Sequence, residues 1–123
     1  MLGNSYHVEQ VNIDNRFSHL DCVLLTPREG VAIACLEAFP DGLPKYLKDW
    51  DIIDVPFEVT KAHMGCNNLT LNDHFVVIPS GAVHDPLVKQ LKSRKFEVAR
   101  LPYESVYWVG GSFRCAYQPL IRV

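Results

Sequence analysis

The property that most restricts how this chain can fold is that it matches itself. Shifted by 44 positions without a gap, His19 falls on His63, Cys22 on Cys66, Leu25-Thr26 on Leu69-Thr70 and Ala38 on Ala82. Asp41 then meets Asp85, Leu43 meets Leu87, Lys45 meets Lys89, and Leu47-Lys48 meet Leu91-Lys92. These are ten identities in the thirty-two pairs from His19 to Trp50, where unrelated segments of ordinary composition give about two. A period of this length marks a supersecondary unit copied in tandem. Such a unit cannot hide its apolar faces alone, so the copies must pack on one another or on another chain.

Both copies give the same reading by periodicity. In the first, the apolar runs 22–26 and 31–35 flank Pro27-Arg28-Glu29-Gly30, the mark of a hairpin. A short helix is expected from Asp41 to about Trp50, followed by a strand at 52–55 before Pro56. In the second, 68–71 and 75–78 form the hairpin around Asn72-Asp73. Asp85 is the expected N-cap, with Pro86 at the first helical position and Leu87, Val88 and Leu91 on one stripe. Residues 96–101 supply the closing strand before Pro102. The reading is an α+β domain over 1–123, with strand-strand-helix-strand modules at about 19–56 and 63–102. Residues 103–123 form an incomplete third module, whose strand-like run lies at 112–121.

Composition fits that picture. Of 123 residues, 48% are hydrophobic and 21% charged, and twelve Lys+Arg stand against fourteen Asp+Glu. These are the proportions of an ordinary globular domain, not of collagen or a disordered segment. A chain of this size buries roughly two-thirds of its unfolded surface, enough for a core without staples. The net charge of −2 provides no strong long-range field for nucleic acid or anionic lipid and leaves room only for a local basic patch. No apolar run approaches the roughly 20 residues of a membrane span. Met1–His7 has neither the basic nor the apolar region of a secretory signal, so a cytoplasmic location is expected. Cys22, Cys35, Cys66 and Cys115 form no CxxC, which favours free thiols over a disulfide framework.

Three local patterns could carry chemistry. In Gly110-Gly111-Ser112-Phe113-Arg114-Cys115, two glycines allow a tight backbone path that either holds a thiol in a cleft or simply precedes a core cysteine. In His19-Leu20-Asp21, an alternating strand would place imidazole and carboxylate on one face, as an acid/base pair or as a solvated strand end. His63-Met64-Gly65-Cys66 offers two ligand types, with His74 and His84 further along. It lacks zinc-site spacing, and the repeat already accounts for His63 and Cys66, so no metal site is expected there. Lys89, Lys92, Arg94 and Lys95 read as a solvated helix face, with no aromatic platform to suggest nucleic acid.

The order and spacing of these motifs within the repeat resemble the C-terminal part of the amidinotransferase and arginine deiminase superfamily. The match runs from about Phe17 onward: His19-Leu20-Asp21 opens one strand pair, Asn68-Leu69-Thr70-Leu71 opens the next, and Gly-Gly-Ser-x-Arg-Cys follows at 110–115. The last motif looks most like the amidinotransferase branch. The resemblance implies a partial pentein fold, part of a ring of strand-strand-helix-strand modules, and a guanidino or amidino compound as substrate, with no cofactor.

Residue by residue, the resemblance implies Cys115 as nucleophile and His19 as general acid/base. Asp21, Ser112 and Arg114 are the implied substrate-binding residues. A further guanidinium-binding aspartate belongs to N-terminal modules that this chain does not contain, and Glu58, between the repeats, is the expected stand-in. The enzyme reading is cysteine-dependent transfer or hydrolysis through a covalent amidino-cysteine. The alternative is a non-catalytic module that binds guanidinium or serves in assembly. An unfinished ring further implies a homo-oligomer, or a second chain that supplies the missing modules.

Overall fold

The computed structural model describes residues 5–117 and 120. Two three-stranded sheets follow each other along the chain. The first has the order β1 (Leu24–Arg28), β2 (Val31–Ala34), β3 (Asp51–Asp54), and the second β4 (Leu69–Asn72), β5 (Phe75–Pro79), β6 (Glu97–Leu101). In each, the central strand pairs antiparallel with the strand before it and parallel with the strand after it. A hairpin needs only a tight turn, whereas the parallel partner needs a crossover connection. That alone gives each module its strand-strand-helical-strand order.

The hairpins keep the sequence offset. Leu25 faces Ile33 and Arg28 faces Val31, while 44 positions later Leu69 faces Val77 and Asn72 faces Phe75. The closing strands do not. Val31 pairs with Asp51 but Phe75 pairs with Glu97, so the second crossover is two residues longer. The extra length lies in the turn after the second helix, where Lys95 takes a left-handed conformation (φ 66°).

The crossovers differ in kind as well. In the second module, α2 (Asp85–Ser93) is a regular helix that buries Leu87, Val88 and Leu91. His84, not Asp85, occupies the N-cap; the Asp85 carboxylate instead accepts from Arg100 Nη1 at 3.0 Å. The helix expected over 41–50 in the first module does not form. That stretch holds only a 3₁₀ turn at Lys45–Leu47, preceded by another at Leu36–Ala38. Gly42 is left-handed (φ 85°), and Pro44 would lose its i−4 hydrogen bond and clash inside a helix. The regular helix near this point is α1 (Phe57–His63), in the connection between modules. It starts after Pro56 and ends at left-handed Met64, and a Cβ on the following Gly65 would stand 2.8 Å from the Val55 side chain.

One apolar cluster joins the modules, with Val23, Ile33 and Cys35 from the first and Val76, Ile78 and Leu91 from the second. Polar bridges span the same seam. Arg94 donates to both carboxylate oxygens of Asp51 at 2.6 and 2.9 Å, and Arg28 donates to the Arg94 carbonyl while lying 4.2 Å over the Phe96 ring. Arg94 is thus an inter-module clamp and not part of a solvated face.

Past β6 the chain turns back on itself. A 3₁₀ segment at Glu104–Val109 leads to left-handed Gly110 (φ 80°), and a second 3₁₀ turn forms at Arg114–Ala116. The strand expected over 112–121 is therefore absent from its described part, and residues 118, 119 and 121 lie outside the described residues. The reason is local: backbone N–H groups here are taken by a side chain, not by a neighbouring strand. No helix among the described residues is long and apolar enough to cross a membrane.

Candidate functional site

The C-terminal turn is held by one buried side chain, Asn67. Its Oδ1 accepts from the backbone N–H of Ser112 at 2.8 Å and of Cys115 at 3.2 Å. Its Nδ2 donates to the Asp21 carbonyl at 2.9 Å and to the Cys115 sulfur at 3.1 Å. Its own carbonyl accepts from the Arg114 N–H, and its N–H donates to the Met64 carbonyl. A fully buried amide with every polar group paired is a rigid joint. This joint ties the tail to the start of the first module.

That start is not a strand. Leu20–Cys22 forms a 3₁₀ turn, with His19 extended at its N-cap, so the expected alternation of His19 and Asp21 on one strand face is replaced by a turn. The turn still delivers Asp21. Its carboxylate oxygens lie 3.7 and 3.8 Å from the Cys115 sulfur, across ninety-four positions of sequence. Cys22, buried beneath, places its sulfur 3.8 Å from Asp21 Oδ1 and 3.9 Å from the Gly110 carbonyl.

Cys115 is the exposed thiol among four free cysteines. Burial pushes the thiols of Cys22, Cys35 and Cys66 up, most strongly Cys66, which sits against Thr60 in the core. Gly111 makes room for the exposed sulfur. A Cβ at that position would stand 2.9 Å from the Cys115 Cβ and 3.3 Å from its sulfur. Here the glycine serves close approach.

The remaining sequence-derived candidates are placed differently. His19 is exposed, two residues before Asp21, and among the described residues its ring is not a member of the Asp21–Cys22–Cys115 cluster. Ser112 is buried with its hydroxyl unpaired, and Arg114 lies 5.1 Å over the Tyr117 ring. Glu58 is exposed in the first turn of α1, and among the described residues it is not a member of the Asp21–Cys22–Cys115 cluster. His63 packs edge-on to His84 and Tyr107, and Cys66 is a core thiol, so the two do not converge as ligands. A cavity of about 200 Å³ lies behind Cys22, lined by Arg16, Lys61, Met64, Tyr107, Trp108 and Gly110; Cys115 is not among its walls.

Asn67 was missed by motif reading. Its signal lay in the repeat, because the 44-residue offset sets Asn67-Asn68 against Val23-Leu24. Two amides where the other copy keeps apolar residues indicate a buried polar role.

Comparison with solved structures decides the architecture. An amidinotransferase from Microseira wollei in the saxitoxin biosynthetic pathway superposes with TM-score 0.78 at 27% identity, over 94% of this chain and 35% of that one. The chain has part of the pentein fold of amidinotransferases and arginine dihydrolases. An inosamine-phosphate amidinotransferase from Streptomyces griseus aligns over 94% of this pentein chain and 36% of its own length, with TM-score 0.77 at 21% identity. A cyanobacterial arginine dihydrolase gives 0.67 at 21% identity, covering 89% and 18%. In sequence, an uncharacterized protein, YkgA, of Bacillus subtilis is 31% identical over 118 residues, which are 95% of this chain and 40% of that protein. This chain therefore spans less than half the length of the relatives it matches. No protein-family model matches it.

Proposed function

We propose that this chain carries the cysteine half of a guanidine-modifying site. Cys115 is the nucleophile, Asp21 the guanidinium-holding carboxylate and His19 the general acid/base. The observation that supports this most is the exposed Cys115 sulfur held by Asn67 at 3.1 Å beside the Asp21 carboxylate. A guanidinium paired with Asp21 would sit against that sulfur. Its charge would favour the thiolate, the form that attacks carbon.

The reaction divides into two steps. The Cys115 thiolate bonds to the guanidinium carbon, and the C–N bond to the departing amine breaks as that amine takes a proton from His19. A covalent amidino-cysteine remains. Water or a second amine then attacks the same carbon and releases the sulfur, giving hydrolysis or transfer. Holding both partners in place supplies much of the rate, so one carboxylate makes an incomplete clamp. Under this reading the site is completed by further modules packed beside these two. Trp108 (92% exposed) and Val109 (84%), beside Gly110, offer apolar surface for that contact.

The position of the His19 ring outside the Asp21–Cys22–Cys115 cluster supports a second reading, in which the chain binds guanidinium or serves in assembly without turnover. One experiment separates the two. The protein is incubated with arginine or agmatine, quenched in acid and weighed intact, alongside calorimetric titration. An amidino adduct on Cys115 that vanishes in Cys115→Ser and weakens in His19→Ala supports the enzyme. Binding without adduct supports the guanidinium-binding module, and the absence of both adduct and binding supports a purely structural role in assembly.

A further inference from the structure

We propose that Cys22, Cys115 and Asp21 form a binding site for one thiophilic divalent cation such as Zn²⁺. One ligand atom from each of the three residues lies within 4.8 Å of the other two. Asp21 Oδ1 stands 3.8 Å from the Cys22 sulfur and 3.7 Å from the Cys115 sulfur. In a tetrahedral site with Zn–S of about 2.3 Å and Zn–O of about 2.0 Å, a sulfur and an oxygen stand roughly 3.5 Å apart and two sulfurs roughly 3.8 Å. The S···O separations are therefore within a few tenths of an ångström of that arrangement. The two sulfurs need to close by at most about 1 Å.

Chemistry and access agree with the geometry. Two thiols and a carboxylate suit Zn²⁺ or Cd²⁺, whereas Mg²⁺ and Ca²⁺ require oxygen ligands. Cys22 is buried, and Asn67 fixes Cys115 from the opposite segment, so two of the three ligands are already positioned. Cys115 is exposed, which leaves a way in and space for water as the remaining ligand. Binding deprotonates both thiols and releases two protons, so affinity rises with pH and weakens on acidification. None of His63, Cys66, His74 or His84 takes part.

A cation bound to Cys115 and Asp21 would draw charge from the sulfur and take the place beside the carboxylate that a guanidinium needs, so it would act as a reversible block. That consequence rests on the nucleophile role proposed above; the site itself does not. The test is titration of the full chain with Cd²⁺, following the ultraviolet thiolate-to-cadmium band, with Zn²⁺ in competition. One equivalent should saturate the band. Cys22→Ala and Cys115→Ala should each remove about half of it and weaken affinity by more than the roughly tenfold to hundredfold that follows loss of an outer-shell partner. Cys35→Ala should leave the titration unchanged. Asp21→Asn should keep the band but weaken the affinity, which guards against a folding defect in the buried Cys22 variant. A band unaffected by Cys22→Ala, or one that never saturates at one equivalent, overturns the site. If cadmium binds as expected but no amidino adduct forms on Cys115, the metal site stands and the enzyme reading falls.

Discussion

Asn67 grips Cys115 twice, its Nδ2 donating to the sulfur at 3.1 Å and its Oδ1 accepting the cysteine's own N–H at 3.2 Å. The tail therefore does not drift near the first module by chance packing. An amide from the second module specifies its position and orientation.

Replacing Asn67 with valine, the residue at the matching position of the first module, should cost about 2–3 kcal/mol, because the N–H groups of Ser112 and Cys115 would lose their acceptor. Urea denaturation measures the loss. An unchanged midpoint would show that the tail is not anchored by this side chain.

Gly111→Ala tests the space beside the thiol. The added Cβ would fall 2.9 Å from that of Cys115, so the turn must shift. Stability should drop by roughly 1–3 kcal/mol, the usual cost of overpacking. Alkylation of Cys115 should slow relative to wild type, while Gly42→Ala, at a glycine with open space around it, should leave the thiol's reactivity unaltered.

His84 makes stability depend on pH. It is buried with Nδ1 unpaired and Nε2 3.3 Å from the Tyr107 hydroxyl, and burial holds its pKa down from 6.5 to about 4. The unfolded chain then binds more protons between those values, so stability is full above about 6.5 and is lost as pH falls towards 4. Between pH 7 and 5 the loss should be on the order of 1–2 kcal/mol, read as a lower melting temperature. In His84→Gln that pH dependence should flatten.

The Asp51–Arg94 clamp works in the same direction through a carboxylate. The Arg94 hydrogen bond holds the Asp51 pKa below its ordinary value, so this contribution is present above the unfolded-state pKa and lost as pH falls through the folded one. Because Asp51 is half exposed, a double-mutant cycle of Asp51→Asn with Arg94→Gln should return about 1 kcal/mol or less, diminishing with added salt.

The two hairpins were legible in the sequence because their apolar runs and turn residues recur at one offset, and the paired residues keep that offset. The closing strands drift by two because an ungapped comparison cannot register the longer turn at Lys95. Shared Leu and Lys positions suggested a helix in both crossovers, but Gly42 and Pro44 override that stripe in the first. At the candidate site, motif order singled out Cys115, His19 and Asp21; the fold brings the Cys115 sulfur to the Asp21 carboxylate, while the His19 ring lies outside their cluster. Asn67 carried no motif and stood out only as a polar residue opposite Val23. Glu58, a carboxylate between the repeats, lies exposed in the first turn of α1 and outside the Asp21–Cys22–Cys115 cluster.

The central claim is that Cys115 and Asp21 act together on a planar cation, and competitive alkylation tests it most directly. Chloroacetamidine, a cation, and chloroacetamide, its neutral counterpart, are offered together and the modified peptides are identified by mass spectrometry. The account predicts that Cys115 alone is labelled, that the amidine wins, and that Asp21→Asn abolishes its advantage. Equal labelling by both reagents in the wild-type protein, or equal modification of all four cysteines, would contradict it.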